Sequence, residues 1–409
     1  MAVRGAQSRP KLALLVNIVA PARIPLYRGL ATHFDLLVLH GGTESNRDSW
    51  HDIDRMLPEA RLIRAWGWQI RLTRKLHGQA FDFRYLHITP GYLWHLLRFR
   101  PDIVVSIEMG LRTLMALIYG AAFRKPVWVW WGGTLHTERD IGPAKRFVRG
   151  IVARWTKHWI SYGQSSTEYL ASLGVSPGCI LEIQNTVDNR TFQGASEAAI
   201  PLSQRPVLLH VGQFTRRKGV EMFLRAAAAL QKEGVQFSLL LVGSGPDKPA
   251  SQRLAGELGL ANVFFQPSRP PADMPGIYRS ADVLVFPTLE DVWGLVANEA
   301  ILSGLVVLCS KYAGCAVELL HPECIFDPED SQEFVAKLRK AVAGELPRPD
   351  LSRLRPMPQI VARLVEALAG SIPKTFATLT ETTQSVTSGE AVVRSQEALC
   401  HAKPYGGRE

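Results

Sequence analysis

Short apolar runs alternate with amphipathic segments along most of this chain. Residues 11–19 and 34–39 are apolar runs separated by a helical pattern over about 25–32. Further runs follow at 102–106, 127–131, 159–162 and 180–183, with a helical pattern at 111–123. Runs that stay apolar throughout describe strands buried on both faces, and their alternation with helices describes a parallel sheet covered on both sides. The pattern breaks over 193–205, where Gly194, Ser196, Pro201 and Ser203 interrupt any period, as in a linker. It then restarts, with strands expected at 207–211, 237–242, 263–265, 281–286 and 306–308. The helices among them are expected at 220–232, 251–257 and 294–303, and two more at 334–342 and 360–368 close the unit. The fold class implied is α/β, with two Rossmann-like α/β/α domains facing each other across a cleft. Their expected limits are 1–190 and 206–370, joined by a linker at 191–205. The Ser- and Thr-rich tail 371–409 lacks a sustained period and reads as disordered, with a short helical tendency at 391–400.

Length agrees with this division, because 409 residues exceed one core of ordinary size and 46% hydrophobic content can fill two. The formal charge of +10 suits nucleic acid, an anionic membrane surface or phosphorylated substrates. No nucleic-acid motif accompanies the charge, so that partner is not expected. Cys179, Cys309, Cys315, Cys324 and Cys400 are odd in number and match no zinc spacing, so they read as incidental thiols of a reducing compartment. No metal or cofactor is expected. The first twenty residues place basic positions before an apolar run, as a secretion leader does, but the run is short and reads as a first buried strand. Residues 114–123 are too few to span a bilayer. The expected location is cytoplasmic, with peripheral attachment to the inner face of a membrane as a variant.

Residues 55–100 modify that picture. Arg55, Arg61, Arg64, Arg71, Arg74, Lys75, Arg84, Arg98 and Arg100 face only Glu59 and Asp82 as acids. Trp66, Trp68, Phe81, Phe83, Tyr85, Tyr92 and Trp94 are interleaved with them. Such a mixture suits a membrane interface, where rings enter the headgroup zone and cations meet anionic lipid. It equally suits a solvated basic face whose rings fill the core of the first domain.

Candidate chemistry clusters in the second half. Gly212, Gln213, Arg217 and Lys218 lie in a turn between a strand and a helix, where a helix start and basic side chains suit a diphosphate. Gly243 and Gly245 form a tight turn directly after a strand, and Gly314 follows another; their amides are expected beside the same cleft. The most informative string is 286–300, which puts Asp291 before a helix and Glu299 about one and a half turns inside it, with Trp293, Gly294 and Leu295 between. A carboxylate inside the helix can accept both hydroxyls of a ribose. One at its mouth can hold sugar hydroxyls, and free amides at the helix start point at phosphate. Asp291 as a helix cap and Glu299 as a solvated residue would be the plainer account. It leaves unexplained why the string stands at a strand's C-terminal end, where such folds bind ligands.

These residues resemble the retaining GT-B glycosyltransferases of the group often called family 4, closely over 207–326 and loosely in the first domain. In that family a Gly-Arg-x-x-x-x-Lys-Gly turn grips the donor diphosphate, and Lys218 matches its lysine. A Glu-x7-Glu motif binds donor sugar and ribose, and Asp291 and Glu299 match its acids. The segment Asn185-Thr186-Val187-Asp188 is similar to one at the end of the family's first domain. Two departures stand out: Gln213 replaces an arginine, for which Arg217 can compensate, and Asp291 is one methylene shorter than the usual glutamate. The resemblance also implies a histidine from the first domain near the reacting centre. His136, in Trp131-Gly132-Gly133-Thr134-Leu135-His136-Thr137-Glu138, fits that place better than His51, His77, His87 or His95. Arg23, after the first strand, is expected on the acceptor or leaving-phosphate side.

The reaction implied is transfer of a sugar from a nucleotide-sugar, a UDP-sugar first among them, to a saccharide or lipid-linked acceptor, with retention and without metal. A sugar-nucleotide epimerase on the same fold is one alternative. A non-catalytic GT-B-shaped partner subunit of a membrane-associated transferase is another.

Overall fold

A computed structural model describes residues 9–42, 53–76, 79–194 and 197–373. His51, His77, the leader-like start and the tail beyond 373, with its 391–400 segment and Cys400, lie outside the described residues. In chain order the first half forms β1 (Lys11–Val16), β2 (Asp35–His40), β3 (Arg61–Arg64), β4 (Trp68–Leu76), β5 (Gln79–Ile88), β6 (Ile103–Ile107), β7 (Val127–Trp131), β8 (His158–Ser161) and β9 (Ile180–Glu182). Seven of these make one sheet in the order β3-β2-β1-β6-β7-β8-β9, paired in parallel. The second half forms β10 (Val207–Val211), β11 (Ser238–Val242), β12 (Val263–Gln266), β13 (Val283–Phe286), β14 (Val306–Ser310) and β15 (Ile325–Phe326). They are parallel in the order β12-β11-β10-β13-β14-β15. Two α/β domains thus carry parallel sheets on either side of a cleft.

The unbroken apolar runs follow from burial on two faces. Along β1, Leu12, Leu14 and Val16 enter one core of the first domain while Ala13 and Leu15 enter the other. Successive side chains of a strand point to opposite faces, so a strand between two helical layers must be apolar at every position. In each sheet the strand order reverses once, between β1 and β6 and between β10 and β13. Such reversals open a crevice at the carboxyl ends of the strands, and the two crevices face each other.

Three features depart from expectation. The final helix, Met357–Gly370, does not close the second domain. Its stripe of Met357, Ile360, Val361, Leu364 and Leu368 packs into the first domain beside Ile24–Ala31. Gly29 permits that contact, since a Cβ there would lie 2.8 Å from Val361 Cγ2. The chain therefore crosses between domains twice, and the crossings are bonded together. Gln184 Nε2 donates to Arg353 O at 2.9 Å, and Gln184 Oε1 accepts from Arg355 N at 2.8 Å. Secondly, β4 and β5 form an antiparallel hairpin outside the main sheet, and β5 lies against the Arg216–Lys218 turn of the second domain. Thirdly, Cys309, Cys315 and Cys324 are buried thiols, but Cys179 is disulfide-bonded, against the expectation of five thiols. Among the described residues no helix is long and apolar enough to cross a membrane.

Candidate active site

The loops after β10 and β13 are built as one unit. Leu289 N donates to Arg217 O at 2.8 Å, and Thr288 Oγ1 donates to the same carbonyl at 3.1 Å. Gly219 adopts a left-handed φ of 69°, and a Cβ there would fall 1.9 Å from Pro287 O. Only glycine lets the two loops meet so closely. Their meeting brings Lys218 Nζ to 2.5 Å from Asp291 Oδ2, with Arg217 Nη1 at 4.0 Å. Asp291 Oδ1 also accepts from Trp293 N at 3.1 Å. Burial acts to raise the Asp291 carboxyl, but Lys218, then Arg217, and these hydrogen bonds outweigh it and hold the group below the ordinary carboxylate range. The cations expected to grip phosphate and the acid expected to hold sugar thus form an ion pair.

Several amides of the glycine turns are bonded to neighbouring loops. Gly243 N donates to Gln266 O at 3.1 Å, and a Cβ on Gly243 would sit 1.8 Å from Gly212 O. Gly212 N in turn donates to Val242 O, also at 3.1 Å. A Cβ on Gly245 would lie 2.4 Å from Phe214 O. Gly314 N donates to Asp291 O at 3.1 Å, and its missing Cβ makes room for Val292 O. These glycines lock neighbouring loops together. Trp293 likewise turns inward: its ring is buried, its Nε1 donates to Asn298 Oδ1 at 2.9 Å, and it packs beneath Gly163 of the first domain. Gln213 is half-buried in the same turn as Lys218, and Thr215 N donates to its carbonyl at 3.0 Å.

Gly294, at φ 99°, starts the helix Leu295–Leu302, whose second turn carries Glu299. Tyr278 Oη donates to Glu299 Oε2 at 2.6 Å. Burial pushes the Glu299 carboxyl up to about 7, and the Tyr278 bond offsets this only in part. Sequence reasoning missed Tyr278, because nothing local links it to an acid on a different helix.

The first domain contributes through the loop after β7. Thr134 N donates to Thr137 Oγ1 at 2.8 Å, and Glu138 pairs with the buried Arg149, whose guanidinium stacks 4.8 Å from the Trp131 ring. This frame carries His136 across the cleft. His136 Nε2 lies 2.9 Å from Leu289 O, and its ring stacks on Tyr312 at 4.1 Å. A carbonyl only accepts, so the ring proton sits on Nε2. Burial lowers the His136 pKa, with the Leu289 bond opposing. Arg139 Nη1 stands 3.6 Å from Glu290 Oε2, and Gln164 N donates to Glu318 Oε1 at 2.6 Å, adding two more bridges. Tyr312 and Glu318 flank Gly314 in the segment after β14, whereas Arg139 and Glu290 carried no signal beyond nearness in sequence to His136 and Asp291. Arg23 lies between Trp130 and Tyr162, 5.2 and 4.9 Å from their centroids. His87 and His95 belong to the first domain but make none of these bridges.

With this geometry established, comparison with known proteins is informative. The chain is similar to Anabaena Alr3699/HepE, solved in complex with UDP and glucose, with a TM-score of 0.64 and 15% identity over 88% of this chain and 95% of that one. The fold is GT-B. Residues 195–355 match the family model described as Glycosyl transferases group 1. Among curated proteins, D-inositol 3-phosphate glycosyltransferase of Corynebacterium glutamicum (strain R) is 31% identical over 157 residues, covering 36% of this chain and 37% of that protein. Lipopolysaccharide glucosyltransferase WaaG of Escherichia coli (strain K12) is 35% identical over 144 residues, covering 34% of this chain and 38% of that protein. The matched region thus spans well under half the length of these relatives.

In the first domain of this GT-B fold, a further polar group stands at the strand reversal between β1 and β6. Glu108 holds a left-handed φ of 76°, costly for a residue with a side chain. Asn17 Nδ2 donates to Glu108 Oε2 at 2.9 Å, and Arg112 Nη2 lies 3.1 Å from the same oxygen. Sequence reasoning passed over it; the signal available was a charged pair flanking Gly110 just after an apolar run.

Proposed function

We propose that the protein transfers a sugar from a nucleotide-diphosphate-sugar to an acceptor hydroxyl with retention of anomeric configuration. The observation carrying this reading is the ion pair of Lys218 with Asp291, Arg217 beside it, opposite His136, with Glu299 in the helix that follows Asp291. As the bond from the sugar's anomeric carbon to the phosphate oxygen breaks, negative charge grows on the diphosphate. Lys218 and Arg217 stabilise that charge more in the transition state than in the ground state. The acceptor oxygen forms the new bond to the same carbon and gives its proton to the departing phosphate oxygen. Glu299 accepts the ribose hydroxyls. Asp291 releases part of its hold on Lys218 and takes sugar hydroxyls, and His136 meets the sugar from the opposite domain. Closure of the cleft excludes water and limits hydrolysis of the donor.

A UDP-sugar is the favoured donor, a choice supported by the UDP and glucose bound to the Anabaena structure of the same fold. The acceptor side, with Arg23 and the Glu108 group, suits a saccharide or lipid-linked substrate of polysaccharide or glycolipid assembly. That choice is supported by the lipopolysaccharide glucosyltransferase among the relatives. A panel of UDP-, GDP- and ADP-sugars, read by calorimetric binding and slow hydrolysis, tests the assignment. Binding of none of them overturns it, and conversion of a donor to its epimer without acceptor would make the protein an epimerase instead.

A further inference from the structure

Among the described residues, large exposed apolar side chains are unevenly distributed. In the second domain they are Phe264, Val292, Val317 and Leu351, which are scattered. In the first domain the helices Gly91–Phe99, Leu111–Phe123 and Pro143–Trp155 lie side by side on one face of the sheet. Their outer surfaces carry Trp94, Leu97, Ile118, Phe123, Phe147 and Trp155, with Phe147 69% and Trp155 57% exposed. Trp66 adjoins this surface, since it abuts Gly91 at the start of the first of these helices. A patch of this kind is more than scattered surface apolarity and marks an interaction site.

The charge of the same face identifies the partner. The segments 91–100, 111–125 and 143–157 contain Arg98, Arg100, Arg124, Lys125, Lys145, Arg146, Arg154 and Lys157, besides the buried Arg112 and Arg149, and no aspartate or glutamate. Lys125 is held by Asp102 at 2.9 Å; Arg98, Arg124 and Arg154 are exposed. A second copy of the chain meeting this face with its own would set cations against cations. At the end where the helices finish, a cavity of about 610 Å³ opens beside Arg124, Lys125 and Trp155, with room for a phosphorylated headgroup.

We infer that the outer face of these three helices is a docking surface for an anionic lipid bilayer. The rings enter the headgroup zone, the arginines and lysines meet lipid phosphate, and the cleft's acceptor side lies at the membrane edge. This refines the sequence-based attribution to residues 55–100: Trp66, Trp68 and the helix 91–99 join the surface, whereas Phe81 and Tyr92 are buried. The inference stands apart from the donor chemistry and survives its failure.

Flotation of the full chain with vesicles tests it. Vesicles of phosphatidylcholine containing phosphatidylglycerol should carry the protein to the top of the gradient, and pure phosphatidylcholine should not. Arg98→Gln and Arg154→Gln should each weaken binding about fivefold, and raised salt should do the same. Phe147→Ser with Trp155→Ser should weaken it about tenfold or more. UDP affinity and the melting profile of each variant should stay unchanged, which separates this result from loss of the fold or of the donor site. Equal flotation with neutral and anionic vesicles, no flotation with either, or variants that float like the parent would each overturn the inference. So would a dimer, abolished by the same variants, in a protein that does not float.

Discussion

Replacing Asp291 with asparagine removes one charge from the loop after β13 and leaves its shape intact. The amide oxygen still accepts from Trp293 N, now at 3.1 Å, so the turn into the following helix survives. What changes is the ion pair with Lys218, closed at 2.5 Å between side chains only 13% and 14% exposed. Breaking a buried pair by removing one partner costs about 3–5 kcal/mol, because the remaining charge is left unpaired. Asparagine still offers Lys218 a neutral acceptor, so the expected loss is about 2–3 kcal/mol, and the nearby Arg217 adds repulsion to what remains. For a domain of this size that lowers the melting temperature by about 5–10 °C. The same argument predicts a gain elsewhere. A nucleoside diphosphate that lacks a sugar competes with Asp291 for Lys218, so removing the competitor should tighten UDP binding about tenfold, while turnover of the intact donor falls. Scanning fluorimetry and titration calorimetry with UDP read both effects. If Asp291→Asn melts like the parent, or binds UDP more weakly, the ion pair does not gate the phosphate site and the reasoning fails.

Three other perturbations address separate parts of the molecule. The Glu299 carboxyl is raised from 4.5 to about 7, so the folded chain keeps a proton there that the unfolded chain has lost. This group's contribution to stability therefore falls as pH rises from 4.5 to about 7, whereas donor affinity, which uses the carboxylate, should rise across neutral pH. Calorimetry at several pH values should show that rise in the parent and a flat line in Glu299→Gln; a flat parent profile would count against the ribose role. Gly243→Ala forces a Cβ to within 1.8 Å of Gly212 O at a φ of 153°, and should cost about 3 kcal/mol or more in the second domain. An unchanged melting profile would show that the two turns are not locked. Leu364→Ala empties a fully buried position in the core of the first domain and should cost about 2–5 kcal/mol there, leaving UDP binding intact. Loss of UDP binding with no first-domain destabilisation would place the last helix elsewhere.

Much of the architecture was legible because burial on two faces leaves an unmistakable trace. The strands β7 and β10 and the helices Leu111–Phe123 and Val220–Lys232 fall where the apolar runs predict them. The hairpin of β4 and β5 was obscured by its charge, although Phe81, Phe83 and Tyr85 alternate with Asp82 and Arg84 as strand residues do. Reading that stretch for composition alone hid its period. The helices Gly91–Phe99, Pro143–Trp155 and Gln164–Ser172 were passed over for a similar reason, since the first two leave large apolar side chains in solvent. In the site, the roles of Asp291 and Glu299 were suggested by their spacing around a helix start, a local property. Tyr278, Arg139 and Tyr312 act through contacts between segments far apart in the chain, which no local pattern encodes. The glycines carry a second role that composition does not announce. A turn rich in glycine suggests open amides, and Gly243 and Gly314 also leave room for another backbone where a Cβ would stand.

The paired crossings of the chain determine how the cleft can move. Residues 183–188 lead out of the first domain and 353–357 lead back, and Gln184 grips both sides of Arg353–Arg355. Two connections bonded side by side act as a gate on a short pin: swinging about the line they define strains little, while sliding one domain past the other must tear their shared bonds. The mouth at His136 and Leu289, away from that line, travels furthest. A protease cut at one crossing would leave the halves joined by the other, so the molecule opens as a single articulated body.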